Sequence, residues 1–398
     1  MRKLSALLVS LFIFAMQLCA DGSTYLNFTA VNGPAKVCLY REDSCAAIEL
    51  QYSLDNCRTW SDYTINQDIQ LSSGATVFFK AKDFNSTFNS KVSVGSPNCH
   101  FRFEGMVAAD GNIMSLLDAS MTLTSVSQYA FQYLFYGCST LTQAPALPAT
   151  NLAEGCYYGM FHGCTSLTQA PALPAMNLAV RCYYGMFHGC TSLTQAPALP
   201  AMNLAKECYD GMFYGCTSLT QAPALPAMNL AEECYNCMFW GCTSLTQAPA
   251  LPAMNLAVRC YYGMFYRCTS LIVNSNPPGK EWQIPSNATP AAGWNEYMFI
   301  YTGGTFTGGP EIGVTYYIAS DPTTEMEYVD VADYIVYAND GRIFVTGAGE
   351  ATVSIYDVNG RMVAISGDAS EPHEFNVNAA GVYFVRIDDH EPVKVVVR

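Results

Sequence analysis

Gly163-Cys164-Thr165-Ser166-Leu167-Thr168-Gln169-Ala170-Pro171-Ala172-Leu173-Pro174-Ala175-Met176-Asn177-Leu178-Ala179 is a seventeen-residue string that occurs four times without change, beginning at Gly163, Gly189, Gly215 and Gly241. The spacing is 26 residues. A period in the range of 20–29 residues is the mark of stacked coils, each able to bury its apolar face only against its neighbours. Single positions extend the array to six copies. Phe135, Phe161, Phe187, Phe213, Phe239 and Phe265 form one column, and Cys138, Cys164, Cys190, Cys216, Cys242 and Cys268 form another three residues on. A third column holds Cys156, Cys182, Cys208, Cys234 and Cys260.

Within each coil, Leu167-x-x-Ala170-x-Ala172 stands where a leucine-rich repeat places its strand. Pro171 and Pro174 end that strand, and Asn177 and Asn203 suit the N-cap of a following helix. The expected fold is an α/β leucine-rich-repeat solenoid of 26-residue coils, with a parallel sheet and short helices, over residues 111–272. Residues 273–317 read as its C-terminal cap, with Trp294 to Phe299 as a degenerate seventh segment after an eight-residue insertion.

The pattern Ala130-Phe131, Phe135-x-Gly137-Cys138-x-x-Leu141 and its descendants resemble the BspA-like leucine-rich-repeat surface proteins of Bacteroidetes over roughly residues 111–310. The resemblance implies a non-catalytic protein whose solenoid adheres to host or bacterial partners.

Working outward, residues 21–110 carry alternating β-rich runs that predict a β-sandwich. Inside it, Ser53-Leu54-Asp55-Asn56-Cys57-Arg58-Thr59-Trp60 resembles the Asp-box hairpin of secreted proteins. A linker at 318–327 leads to a second β-sandwich at 328–398, where Asn359-Gly360 signals a hairpin. The order Ile355-Tyr356-Asp357, Asn359-Gly360-Arg361, then Gly381-Val382-Tyr383 and a closing Arg398 resembles the C-terminal sorting domain of type IX secretion. That resemblance implies export across the outer membrane. At the other end, Arg2 and Lys3 before the apolar run Leu7 to Met16 have the pattern of a signal peptide over residues 1–20. The protein is therefore expected to be secreted or held at the outer-membrane surface, with no transmembrane helix.

Of 398 residues, 13% are charged, against about 25% in an average domain. The net charge of -14 argues against nucleic acid as a partner. Between Ala130 and Ile272 only nine of 143 residues are charged, whereas Val273 to Arg398 carries six basic and seventeen acidic residues. The repeats are nearly neutral and the tail is acidic.

Five His residues (100, 162, 188, 373 and 390) fall in no catalytic or metal-binding motif, so no catalytic residue, metal or cofactor is expected. The repeat cysteines read as small core residues, with disulfides between coils as the alternative. Cys38, Cys45, Cys57 and Cys99 are the disulfide candidates proper. Candidate binding residues come from what varies between copies. The position after the Phe column runs Tyr136, His162, His188, Tyr214, Trp240, Tyr266, and another column runs Tyr158, Tyr184, Asp210, Asn236, Tyr262. These read either as drift at solvated positions or as an aromatic stripe that docks a macromolecule. The expected partner is an extracellular or cell-surface protein, with a glycan as the alternative.

Overall fold

The computed structural model describes residues 19, 24–41, 48–85, 99–277, 279–318, 329–331, 334–339, 342–346, 351–358, 360–366, 373–377, 381–388 and 393–397. Except for Cys19, the expected leader lies outside them, as do Cys45 and all but residue 318 of the expected linker.

The repeats stack as coils, but the α/β assignment is wrong. Among the described residues there is no α-helix, only one 3-10 turn at Ile113–Leu116. The segment expected to be helical is a ribbon of tight turns. In the coil beginning at Gly155, the amides of Gly155, Tyr157, Gly159, Phe161 and Gly163 donate to the carbonyls of Val180, Cys182, Tyr184, Met186 and His188 in the next coil. The alternating amides of Cys156, Tyr158, Met160, His162 and Cys164 close turns onto the carbonyl three residues back. An α-helix needs every amide to bond four residues back. Here half of them are given to the neighbouring coil, and a residue at positive φ every fourth position (Gly155, Gly159, Gly163) prevents helix propagation.

The expected parallel sheet is also reduced. Neighbouring coils meet at single-residue parallel bridges, Gln169 to Gln195 to Gln221 to Gln247 on one side and Asn151 to Asn177 to Asn203 on another. The prolines between them lack the amides that would extend the ladder. Asn177 and Asn203 are not N-caps. Their side-chain amides join in a ladder, Asn203 Nδ2 donating to Asn177 Oδ1 at 2.7 Å.

The core runs through the stack as columns of identical rings. The Phe column, from Phe135 through Phe299, has centroids 5.3–5.7 Å apart and planes within 6° of parallel. Tyr157, Tyr183, Tyr209, Tyr235 and Tyr261 form a second buried column at 5.8–5.9 Å. Both Cys columns are buried free thiols beside them. In the column that includes Cys164 and Cys190, each Sγ donates to the carbonyl of the Phe one coil back, as Cys164 does to Phe135 at 3.1 Å. Burial pushes these thiols well up, which keeps them protonated and inert.

The amino-terminal part is one seven-stranded sheet and not the expected two-sheet sandwich. Its strands are β1 (Leu26–Arg41), β2 (Leu50–Ser53), β3 (Ser61–Asp62), β4 (Ile69–Leu71), β5 (Thr76–Ala81), β6 (Cys99–Asp110) and β7 (Leu141–Gln143). The order is β3-β2-β5-β1-β6-β7, with β4 also on β1. β7 belongs to the first coil and pairs with β6 in parallel. β6 thus stands in for a preceding coil: Phe101 stacks on Phe135 at 5.6 Å, and Cys138 Sγ donates to the Phe101 carbonyl at 3.1 Å, repeating the bond made between coils. One continuous core runs from Leu26 to Ile318.

At the far end, β8 (Val273–Asn274), β9 (Lys280–Trp282) and β10 (Tyr316–Ile318) form a small antiparallel sheet. The seventh segment accepts bonds from the sixth, Tyr261 N to Trp294 O and Phe265 N to Met298 O. The tail has two four-stranded antiparallel sheets. One runs β11 (Val329–Val331), β12 (Tyr334–Asn339), β13 (Arg342–Thr346), β16 (His373–Asn376); the other runs β15 (Met362–Ser366), β14 (Val353–Asp357), β17 (Gly381–Ile387), β18 (Val393–Val397). Val336, Ile343, Val345, Ile355, Val385 and Val395 lie in their shared core.

Candidate interaction surface

Repetition at 26 residues places equivalent side chains side by side, and the variable column becomes a ladder of rings along the stack. Tyr136, His162, His188, Tyr214, Trp240 and Tyr266 are all half-buried. Successive centroids lie 5.0, 4.3, 4.5, 5.7 and 3.9 Å apart, and all but the first pair lie within 27° of parallel. Tyr301 closes the ladder edge-on at 5.2 Å from Tyr266. Sequence reading misses Tyr301 because it lies 35 residues beyond Tyr266, off the period. Arg267 reaches over both rings, 5.6 and 5.8 Å from their centroids.

The second column behaves differently. Tyr158 is buried, stacked 4.5 Å from Tyr184 and packed edge-on against Tyr133, so it cannot meet a ligand. Tyr184 and Tyr262 remain half-buried. In the fourth coil the column holds Asp210, which is buried and accepts a bond from Asn236 Nδ2 at 2.9 Å. The charged positions flanking this column pair between coils. Arg181 forms a two-pronged pair with Glu207 at 2.6 and 2.9 Å, Lys206 meets Glu232 at 2.9 Å, and Arg259 meets Glu233 at 3.6 Å. Each pair links neighbouring coils, so opposite charges at one-period spacing help fix the register.

Two ionisable groups here respond oppositely to pH. Burial, reinforced by the neighbouring His162, lowers His188 from its ordinary 6.5 to about 4. The unfolded chain therefore holds more protons between those values, and the contribution of neutral His188 is complete above pH 6.5 and is lost as pH falls toward 4. Burial raises Asp210 from 3.8 to about 7, helped by Glu207 and Glu233 and opposed by Asn236 and Arg181. Its contribution is complete below the ordinary carboxylate value and is lost as pH rises toward 7. The slopes offset each other in the native chain. Thermal unfolding between pH 4 and 6.5 should show that Asp210→Asn steepens the loss of stability on acidification. His188→Tyr, which copies Tyr214 one coil on, should reverse it. Parallel pH profiles in all three chains would refute this account.

Asp55 ties the amino-terminal hairpin together by hydrogen bonds. Asp55 accepts from Thr59 N at 2.9 Å, Thr59 Oγ1 at 2.6 Å and Ser53 Oγ at 2.8 Å, and these bonds hold its carboxyl down at about 2. Trp60 has Tyr25 edge-on at 5.2 Å and the Lys80 ammonium 4.1 Å from its ring centroid. Disulfide expectations need correcting. Cys57 is bonded to Cys19, with the Cα atoms 5.3 Å apart, while Cys38 is a free thiol. Cys38 lies opposite Arg102 and Cys99 opposite Arg41, an odd offset that puts the two side chains on opposite faces of the sheet. Cys19 itself falls in the stretch that the signal-peptide reading assigns to removal.

Among the described residues no group of three or more His, Cys, Asp or Glu side chains could hold a metal ion, and no helix is long and apolar enough to cross a membrane. No curated protein and no solved structure matches the chain. One family model does match, over residues 323–397 of the tail, and its description is a domain of unknown function, DUF6383.

Proposed function

We propose that the chain is an exported, non-catalytic binding protein that holds an extracellular or cell-surface protein against the ring ladder. The observation that carries this is the ladder itself: seven aromatic or imidazole rings in one continuous, part-exposed row on a part of the chain with almost no charge. Interfaces draw most of their affinity from such aromatic anchors, and stacking fixes the rings before a partner arrives, which lowers the ordering cost of binding. Export is supported by the basic and apolar pattern at the amino terminus and by the tail's resemblance to a sorting domain.

Stacking also argues for protein over glycan. A sugar docks on an open aromatic face, and in the ladder the faces are occupied by the neighbouring rings. Trp60 is covered in the same way by Tyr25 and Lys80. The ladder offers ring edges, which suit the irregular apolar surface of a protein.

The test is capture of a panel of extracellular-matrix and cell-surface proteins on the immobilised full chain. Combined Tyr214→Ala and Trp240→Ala substitution should weaken any captured partner at least about tenfold, the effect of losing one or two anchors. Undiminished capture by the double variant, or binding to glycans alone, would defeat the proposal.

A further inference from the structure

Four coils carry the same strip, Gln-Ala-Pro-Ala-Leu-Pro-Ala-Met, so differences in exposure between copies report what lies on top of them. Pro174 in the second coil is exposed and Pro200 in the third is half-buried, but Pro226 and Pro252 in the fourth and fifth are buried. Ala222 is buried, whereas Ala170, Ala196 and Ala248 are half-buried. The fifth strip is covered by the cap, whose Trp282 Nε1 donates to the Pro249 carbonyl at 2.9 Å. What covers the fourth is the tail.

On β13, Ile343 and Val345 point into the tail's own core, so strand alternation sends Phe344 to the outer face. Such a side chain should be solvent-exposed, yet Phe344 is only 7% exposed, packed against Ala224 and Met228 of the fourth strip. We propose that the invariant strip is a docking surface for the chain's own tail domain, and that the seat on the fourth coil is one of three equivalent seats. The second and third coils present the same pair of contacts, Ala172 with Met176 and Ala198 with Met202. The tether does not choose among them. Ten residues separate Ile318 from Val329 and can span up to about 38 Å, whereas adjacent coils are displaced by only about 5 Å. Seats of equal chemistry share their occupant in equal measure. The contact is apolar, which fits an acidic tail meeting a neutral strip without a charge partner. The tail becomes a cover that changes register along the strip. This inference uses residues other than the ring ladder and stands or falls independently of the binding function.

The test uses the full chain carrying Phe344→p-benzoylphenylalanine, a photoreactive side chain tolerated because position 344 lies outside the tail's core. Trypsin cuts at Arg102, Arg181, Lys206 and Arg259, so fragments 103–181, 182–206 and 207–259 separate the second, third and fourth seats although their strips are identical. After illumination of dilute protein, the monomer-sized product should carry label on all three fragments in roughly comparable shares. Adding Met228→Glu, which disrupts the apolar seat without creating a trypsin site, should remove most of the label from 207–259 and raise it on the other two. Label confined to 207–259, label on none of the three, or label only in a dimer-sized product would each overturn the proposal.

Discussion

Phe187→Ala is expected to lower the unfolding free energy by about 4 kcal/mol, the usual cost of emptying a buried Phe site, and to divide the unfolding of the array into two transitions. Phe187 is fully buried in the middle of its column, stacked 5.5 Å from Phe161 and 5.7 Å from Phe213 with planes within 4°. Removing it takes a ring partner from both neighbours at once. In a stack whose coils touch only adjacent coils, stability is a sum of coil terms and interface terms, so weakening one central interface uncouples the two sides. The amino-terminal side is braced by β6 and the Phe101–Phe135 contact, and the carboxy-terminal side by the seventh segment and Trp282. Denaturant unfolding followed by tyrosine fluorescence and circular dichroism should show a shifted and biphasic curve. His188→Ala, next in sequence but only half-buried, should shift the curve far less. A single transition at the native midpoint for Phe187→Ala would contradict the column as the main source of cohesion.

Gly159→Ala should be much more costly than Gly185→Ala, although both glycines occupy the same place in consecutive coils and have φ near 55°. Each substitution carries about 1–2 kcal/mol for a β-carbon in the left-handed region. At Gly185 the added atom would have nothing nearer than His188 Cβ at 4.0 Å. At Gly159 it would lie 2.3 Å from Tyr133 Cε1 and 2.6 Å from Cδ1, against a ring that is itself buried. Overpacking of this kind adds about 1–3 kcal/mol. Tyr133 occupies the position that is Gly in most other coils, so Tyr133→Gly restores the common pattern and makes room for the methyl. The double variant should therefore lose less stability than the two single variants summed, by about that same 1–3 kcal/mol. Equal costs at Gly159 and Gly185, measured by denaturant midpoint, would show that Tyr133 gives way freely.

Much of the candidate surface is legible in the amino-acid pattern. Tyr136, His162, His188, Tyr214, Trp240 and Tyr266 follow from a variable column in an otherwise constant repeat, and the fold sets them side by side as expected. Tyr158 is not legible in this way, because position in the period does not reveal depth and Tyr133 of the preceding coil covers it. The charges at Arg181, Glu207, Glu233 and Arg259 look like noise within any one coil; they make sense only as pairs across coils. The expected helix fails at a visible signal. Gly159 with Gly163 and Gly185 with Gly189, four residues apart in a ten-residue segment, are poor helix formers and good candidates for repeated positive φ.

By itself, the sequence determined who neighbours whom. An unbroken 26-residue period requires residue i to lie beside residue i+26, whatever the backbone does between them, so the Phe, Tyr and Cys columns and the ring ladder follow from repetition alone. Only the tertiary structure decided what the backbone does. Each coil has amides that could bond within the coil or to the next one, and the apolar pattern of a single coil is compatible with either. The choice is made where neighbouring coils meet, because the bonds from Gly155 to Val180 and from Phe161 to Met186 exist only once the coils are stacked. The same non-local contacts turn ring faces toward one another, bury Tyr158, and seat Phe344 on one of several identical strips.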